Sequence, residues 1–108
     1  MTASGAQEGV TLVVLLELPA ADFDTITAYE DAVLPLVQRS GGEVQRRLRA
    51  VDQRAEVHLI WFESPAAMEK FLTDPGRLHA QRLLGGTVVH QRLVQVRDLE
   101  VPAPVPGE

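Results

Sequence analysis

A chain of 108 residues with 45% hydrophobic side chains holds material for one domain with a single modest core. Its formal net charge of -5 supplies no electrostatic footprint for nucleic acid or an anionic membrane, and the lack of cysteine excludes disulfides and thiolate metal ligands. No apolar run reaches the roughly 20 residues that span a bilayer. MTASGAQEG at 1 to 9 has neither the basic start nor the apolar stretch of a secretion signal, so the expected compartment is the cytoplasm.

Residues 1 to 9 read as a flexible lead, 10 to 99 as one domain, and 100 to 108 as a proline-rich tail, extended because proline fixes φ and removes a donor. VTLVVLLEL at 10 to 18 is rich in Leu and β-branched residues and stops before Pro19, the pattern of a strand apolar on both faces. Residues 22 to 40 change period. Phe23, Ile26, Val33 and Val37 recur at helical spacing, with Asp22 or Asp24 to cap the start and Gly41-Gly42 to end it. Pro35 should remove one backbone bond and bend this helix. Residues 43 to 51 form a polar strand, 52 to 54 a turn, and EVHLIWFE at 56 to 63 a second apolar strand. Ser64-Pro65 starts a helix that runs to about Leu72. Asp74-Pro75 repeats that signal for a short helix ended by Gly85-Gly86, and 87 to 99 form the last strand.

The two halves share a plan. Glu17, Pro19, Ala20 and Ala21 match Glu63, Pro65, Ala66 and Ala67, and GGEVQRRL at 41 to 48 answers GGTVVHQR at 85 to 92. Each half reads apolar strand, helix, Gly-Gly, polar strand. That predicts an α+β, ferredoxin-like βαββαβ fold, with a four-stranded antiparallel sheet and helices on one face. The apolar strands belong at the sheet centre and the Arg-bearing strands at its edges.

Strand alternation then sorts the faces. Leu12, Val14, Leu16, Leu18, His58, Ile60 and Phe62 should meet the helices. Val13, Leu15, Leu59 and Trp61 would form a contiguous apolar patch on the other face, the mark of an interface. A homodimer with sheets packed face to face is expected, the alternative being a monomer whose own proline-rich tail covers this face.

Candidate chemistry rests on few residues. His58, facing the helices, could meet Tyr29 or His79 in a cleft where imidazole and phenol move protons near neutral pH. Arg46 could hold a carboxylate or phenolate on the cleft wall. The plainer readings are a hydrogen-bonded core histidine, a packing tyrosine and a solvated, charged edge strand. The histidines lie on separate elements without metal-ligand spacing, so no metal is expected, and no phosphate-binding loop or nucleophile elbow is present.

A Tyr-x-x-x-Val-x-Pro-Leu helix at 29 to 36 ending in Gly-Gly, followed by WFESPAAMEKFLTDP at 61 to 75, resembles the dimeric α+β barrel superfamily over about residues 10 to 99. That superfamily includes cofactor-free antibiotic-biosynthesis monooxygenases, haem degraders, muconolactone isomerases and stress-responsive barrels with polyketide cyclases among them. The resemblance implies a ligand cleft between sheet and helices, with Phe62, Phe71 and Arg77 among the substrate-binding residues and no cofactor. The cyclases' catalytic Tyr and His positions are matched by Phe71 and Arg77, which lack a hydroxyl and a usable base. Gly76 and Arg77 stand where the monooxygenases commonly carry a His, and His79 is out of register with the haem degraders' axial ligand. The chain is most similar to an uncharacterised branch with Gly-Gly after the first helix and an aromatic four residues before proline. Three functions follow: a cofactor-independent oxygenase, isomerase or cyclase acting on an aromatic or polyketide-like molecule, a non-catalytic binder of a small apolar ligand, or a purely structural dimer.

Overall fold

The sheet runs in the order β2-β3-β1-β4, every neighbour antiparallel, with β1 at Val10–Glu17, β2 at Gly42–Arg49, β3 at Ala55–Phe62 and β4 at His90–Val96. The computed structural model describes residues 9–18 and 23–107. Helices α1 (Phe23–Val33), α2 (Pro35–Arg39), α3 (Pro65–Leu72) and α4 (Pro75–Ala80), with a 3-10 turn at Gln81–Leu84, connect the strands. This is the expected α+β, βαββαβ arrangement, with apolar strands central and polar strands at the edges. The expected lead at 1 to 9 lies outside the described residues apart from Gly9, as do the first Pro-Ala-Ala repeat and the Asp22 cap.

The second half shows its start signals directly. Ser64 Oγ accepts from Ala67 N at 3.0 Å, and Asp74 Oδ1 accepts from Gly76 N at 2.7 Å, each just before a proline at the first helical position. The single bent helix expected before Gly41 is instead two. Leu34 N still donates to Glu30 O at 2.8 Å, but Pro35 has no N–H, and the chain restarts with Val37 N donating to Leu34 O at 3.1 Å. β4 is shorter than the expected 87 to 99 because β1 pairs with it only from Thr11↔Val96 to Glu17↔His90.

Alternation works as expected on β1 and β3. Leu12, Val14, Leu16, Leu18, His58, Ile60 and Phe62 are buried under the helices with Ile26, Val33, Val37 and Phe71; each large apolar side chain contributes about 1.5–3 kcal/mol. On the opposite face Val13, Leu15, Val57 and Leu59 are half-buried, and Trp61 (37%), Val94 and Val96 are exposed. The tail does not cover them. Leu99 and Val101 are 79% and 84% exposed, which overturns the alternative of a face sealed by its own C-terminus.

Gly41-Gly42 does more than end a helix. Gly41 has φ +93°, which favours glycine, and its N–H and C=O tie α2 to the end of β3 through Gln38 O and Glu63 N. A Cβ on Gly42 would lie 2.6 Å from Phe62 Cδ1 and 2.7 Å from the Trp61 carbonyl. We therefore expect Gly42→Ala to cost about 1–3 kcal/mol by overpacking, a fall in Tm of several degrees in a thermal melt. An unchanged Tm would mean that the β2–β3 pair separates freely.

Candidate functional site

Helix α1 presents Ile26, Tyr29, Glu30 and Val33 to the core, the i, i+3, i+4, i+7 face of a helix. One of those four core positions is a carboxylate. On β3 the face that carries His58, Ile60 and Phe62 also carries Glu56. Glu30, Glu56 and His58 thus meet in the interior, each nearly inaccessible to solvent.

His58 Nε2 lies 3.0 Å from Glu30 Oε2 and 3.1 Å from Glu56 Oε1. One N–H cannot point at both. It aligns with Glu56 Oε1, and Glu30 Oε2, though as close, has no well-aligned donor. The outer carboxylate oxygens are held from β2. Arg47 Nη2 donates to Glu30 Oε1 at 2.7 Å, and Arg49 Nε donates to Glu56 Oε2 at 2.8 Å while its guanidinium lies over the Phe23 ring at 4.3 Å. Burial pushes the Glu30 carboxyl up, but His58 and Arg47 outweigh it and hold the group well below the usual carboxylate range. Burial likewise pushes His58 down, and the two carboxylates outweigh it, raising the imidazole above its ordinary 6.5.

These three side chains offer ligand-type atoms within 4.8 Å of one another, a convergence that spacing along the chain does not reveal. Charge decides between a proton and a metal. Two arginines, two carboxylates and an imidazolium carry a net +1. Exchanging the imidazolium proton for a dication would raise that to +2, with the outer oxygens already committed to the half-exposed Arg47 and Arg49. The arrangement suits a held proton.

Beside the cluster is a cavity walled by Val14, Leu16, Tyr29, His58, Phe71 and Arg77, with Gln91 and Leu93 of the exposed edge strand at its margin. Its empty volume is about 350 Å³ counted out to the mouth, and its enclosed part has room for one ordered water. Arg77 is nearly buried. Its Nη1 donates to Leu72 O at 3.2 Å and its guanidinium carbon lies 5.6 Å from the Phe71 ring centre. Among the described residues no carboxylate pairs with it directly, so its guanidinium is free to meet a ligand in a cavity whose wall also carries Glu30. Burial raises the Tyr29 phenol, Arg77 opposing in part, which keeps it a hydrogen-bond donor at neutral pH.

Of the residues expected to act together, Tyr29, His58, Phe71 and Arg77 do share one cavity. Phe62 is fully buried and packs against Phe71 at 5.6 Å without reaching the wall. His79 is exposed on α4 and lines no part of the cavity. Arg46 is not on the cleft wall. A bulge between Val44 and Arg46 shifts the register, so Arg46 lies opposite Leu59 on the open face and Arg47 takes the helix side, opposite His58. His90 and Arg92 pair with Glu17 and Leu15 on that same open face. Glu30 and Glu56 were not among the expected site residues; the signal was available as charges at core-facing positions of an amphipathic helix and an alternating strand.

The pKa directions set a pH profile for stability. His58 is raised, so its contribution is complete below pH 6.5 and is lost as pH rises through its folded value. Glu30 is lowered, so its contribution is present above pH 4.5 and is lost as pH falls through its folded value. Tm should therefore peak between those limits, and His58→Gln should flatten the alkaline decline while leaving an acid limb. An alkaline decline unaltered in His58→Gln would assign it to another group.

No protein-family model and no curated protein matches the chain. Solved structures do. SnoaB, a cofactor-independent oxygenase from Streptomyces nogalater, superposes with a TM-score of 0.64 at 20% identity, covering 85% of this chain and 96% of its own. A possible oxidoreductase of unknown function from Bacteroides thetaiotaomicron gives 0.66 at 8% identity over 84% and 98%. A NIPSNAP-like domain protein from Burkholderia xenovorans gives 0.64 at 13% identity over 92% of each chain. At such identities the likeness is one of fold, and over most of its length the chain has the protomer fold of the dimeric α+β barrels.

Proposed function

We propose that this protein is a cofactor-independent enzyme that removes a proton from a small, acidic aromatic or polyketide-like substrate. The observation that carries the proposal is an imidazole on a cavity wall, clamped at Nε2 by two buried carboxylates, with the Arg77 guanidinium on the same cavity. With the Nε2 proton held toward Glu56, the neutral tautomer leaves Nδ1 to accept a proton, and both carboxylates stabilise the imidazolium as it forms. Arg77 and the Tyr29 hydroxyl are the donors for the oxyanion of the resulting enolate, in a site dry enough to make such contacts strong. The carbanion then takes up dioxygen to give a peroxide, which regains the proton from the His58 imidazolium and loses water to leave a carbonyl. Alternatively it adds to a carbonyl carbon of the same molecule, closing a ring whose alkoxide takes that proton. The fold shared with an enzyme described as a cofactor-independent oxygenase supports the first outcome. A ligand larger than a water enters by displacing Leu93 and Gln91 at the sheet edge. The enzyme acts as a homodimer, in which the open face with Val13, Leu15, Leu59 and Trp61 packs against a second copy.

The second reading, a binding protein without chemistry, is favoured by Phe71 and Arg77, neither of which can act as a base at neutral pH. Proton transfer distinguishes the two. An anthrone has an acidic C–H and serves as the probe, its exchange for deuterium followed by NMR. Wild type should accelerate exchange, with a rate that rises with pH through the raised His58 value, and His58→Gln should lower it by about 10²–10⁴-fold. Binding with no acceleration, or equal rates in the variant, would leave only the binder. Trp61→Glu should shift the protein from dimer to monomer in sedimentation; a persistent dimer would place the interface elsewhere.

A further inference from the structure

The ion cluster has two sides. His58 and Glu30 border the cavity, while Glu56, Arg47, Leu48 and Arg49 line a separate surface hollow of about 490 Å³ on the edge strand β2. The two arginine side chains are 44% and 40% exposed, although the carboxylates they hold are almost fully buried. Each therefore joins solvent to the interior.

Neither guanidinium spends all its donors on the cluster. Among the described residues Arg47 donates through Nη2 alone, and Arg49 uses Nε and Nη2 on a single oxygen, Glu56 Oε2. Nε and Nη1 of Arg47 and Nη1 of Arg49 are left for a further acceptor. The backbone adds donors at the same place. Ala50 N donates to Ala55 O at 2.8 Å where the β2–β3 pair ends, and bonded positions alternate along an antiparallel ladder. Leu48 thus pairs inward, and Arg47 and Arg49 turn their N–H groups to the free edge. The carboxylate on the wall, Glu56, has its oxygens taken by Arg49 and His58.

Charge couples the hollow to His58. The titratable and charged groups around the imidazole are Tyr29 and Glu30 of α1, Glu56 of β3, Arg47 and Arg49 of β2, and Arg77 of α4 on the same cavity. Among the described residues β1 and β4 bring no titratable side chain to that cavity. Two arginines, two carboxylates and His58 sum to zero when the imidazole is neutral and to +1 when it is protonated. A dianion beside the arginines is attracted to the second state. Any arginine it draws from its carboxylate leaves more negative charge facing the ring, which again favours the imidazolium. Both effects have the same sign.

We propose that the hollow binds a small free oxyanion, inorganic phosphate or sulfate, and that its occupancy and the protonation of His58 promote each other. The site stands apart from the catalytic reading. Its consequence, slower proton abstraction because less His58 is free to accept, rests on that reading.

Sulfate, doubly charged throughout the titration, is the probe. The imidazole signals of the full-length, ¹³C-labelled chain are titrated in chloride and in sulfate at equal ionic strength. His79 and His90, exposed and outside the hollow, serve as internal references. In sulfate the His58 midpoint should rise by at least about 0.5 pH, leaving about threefold less neutral imidazole below it, while His79 and His90 stay in place. Leu48→Glu puts a fixed negative charge in the hollow without touching either carboxylate and should abolish the increment; Leu48→Gln should keep it. A His58 midpoint insensitive to sulfate, or moving in step with His79 and His90, would overturn the site. An increment that persists in Leu48→Glu would move the anion to Arg77 in the cavity and overturn it as well. Anthrone exchange without a sulfate response leaves the enzyme and removes the site, and a response without exchange does the reverse.

Discussion

The clamp of Glu30 and Glu56 on His58 is the constraint around which the rest of the interior is arranged. It joins three elements at one point: α1 supplies Glu30, β3 supplies Glu56 and His58, and β2 supplies the arginines that neutralise the outer oxygens. Buried charges of this kind are costly to bring out of water, and losing one partner strands the others. An apolar replacement of similar volume would pack as well, so stability alone does not account for charged groups here. What the cluster adds is an imidazole of fixed orientation and raised basicity on a cavity wall, which is why the chemistry is placed there.

That cluster also explains how the two helical segments before β2 can tolerate a break. α1 is fixed to the sheet by Glu30 and by its apolar neighbours before the chain reaches Pro35. α2 is then anchored separately, by the fully buried Val37 and by Arg39, whose Nη2 donates to Asp74 Oδ2 at 2.6 Å at the start of α4. The lost backbone bond at Pro35 lets the second segment turn independently toward that contact. The cavity lies between these anchored pieces, with its floor on β1 and β3 and its least protected side along β4.

Much of the fold was legible because each rule acted on many residues at once. Two apolar strands, two polar ones and Gly-Gly stops specify order and pairing, and alternation on β1 and β3 sorts both faces correctly. The site was legible only in part. Tyr29 and His58 were identifiable by type and Phe71 and Arg77 through the family resemblance, yet Glu30 and Glu56 drew no reading because a single acidic residue does not disturb an amphipathic pattern. Arg46 was placed in the cleft because nothing in GGEVQRRL marks where a strand gains an extra residue. His79 was grouped with the site by residue type, although the helix turns it to solvent. Local pattern specifies elements well, and it is silent on which charges the tertiary fold will take inside.

The bulge on β2 has a consequence for how this gene can change length. With Gln45 as the unpaired residue, Val44, Arg47 and Arg49 share the helix side while Arg46 and Leu48 face away. Deleting Gln45 would restore strict alternation without moving any of them to the other face. Arg46 and Arg47 are adjacent and alike, so losing either gives the same chain, in which Gln45 takes the outward position and the remaining arginine the place opposite His58. The extra residue is thus a reserve of length: one residue can be lost between Val44 and Arg49 with an arginine still opposite His58 and another opposite Glu56, whereas a second loss would turn Arg49 away from the ion cluster.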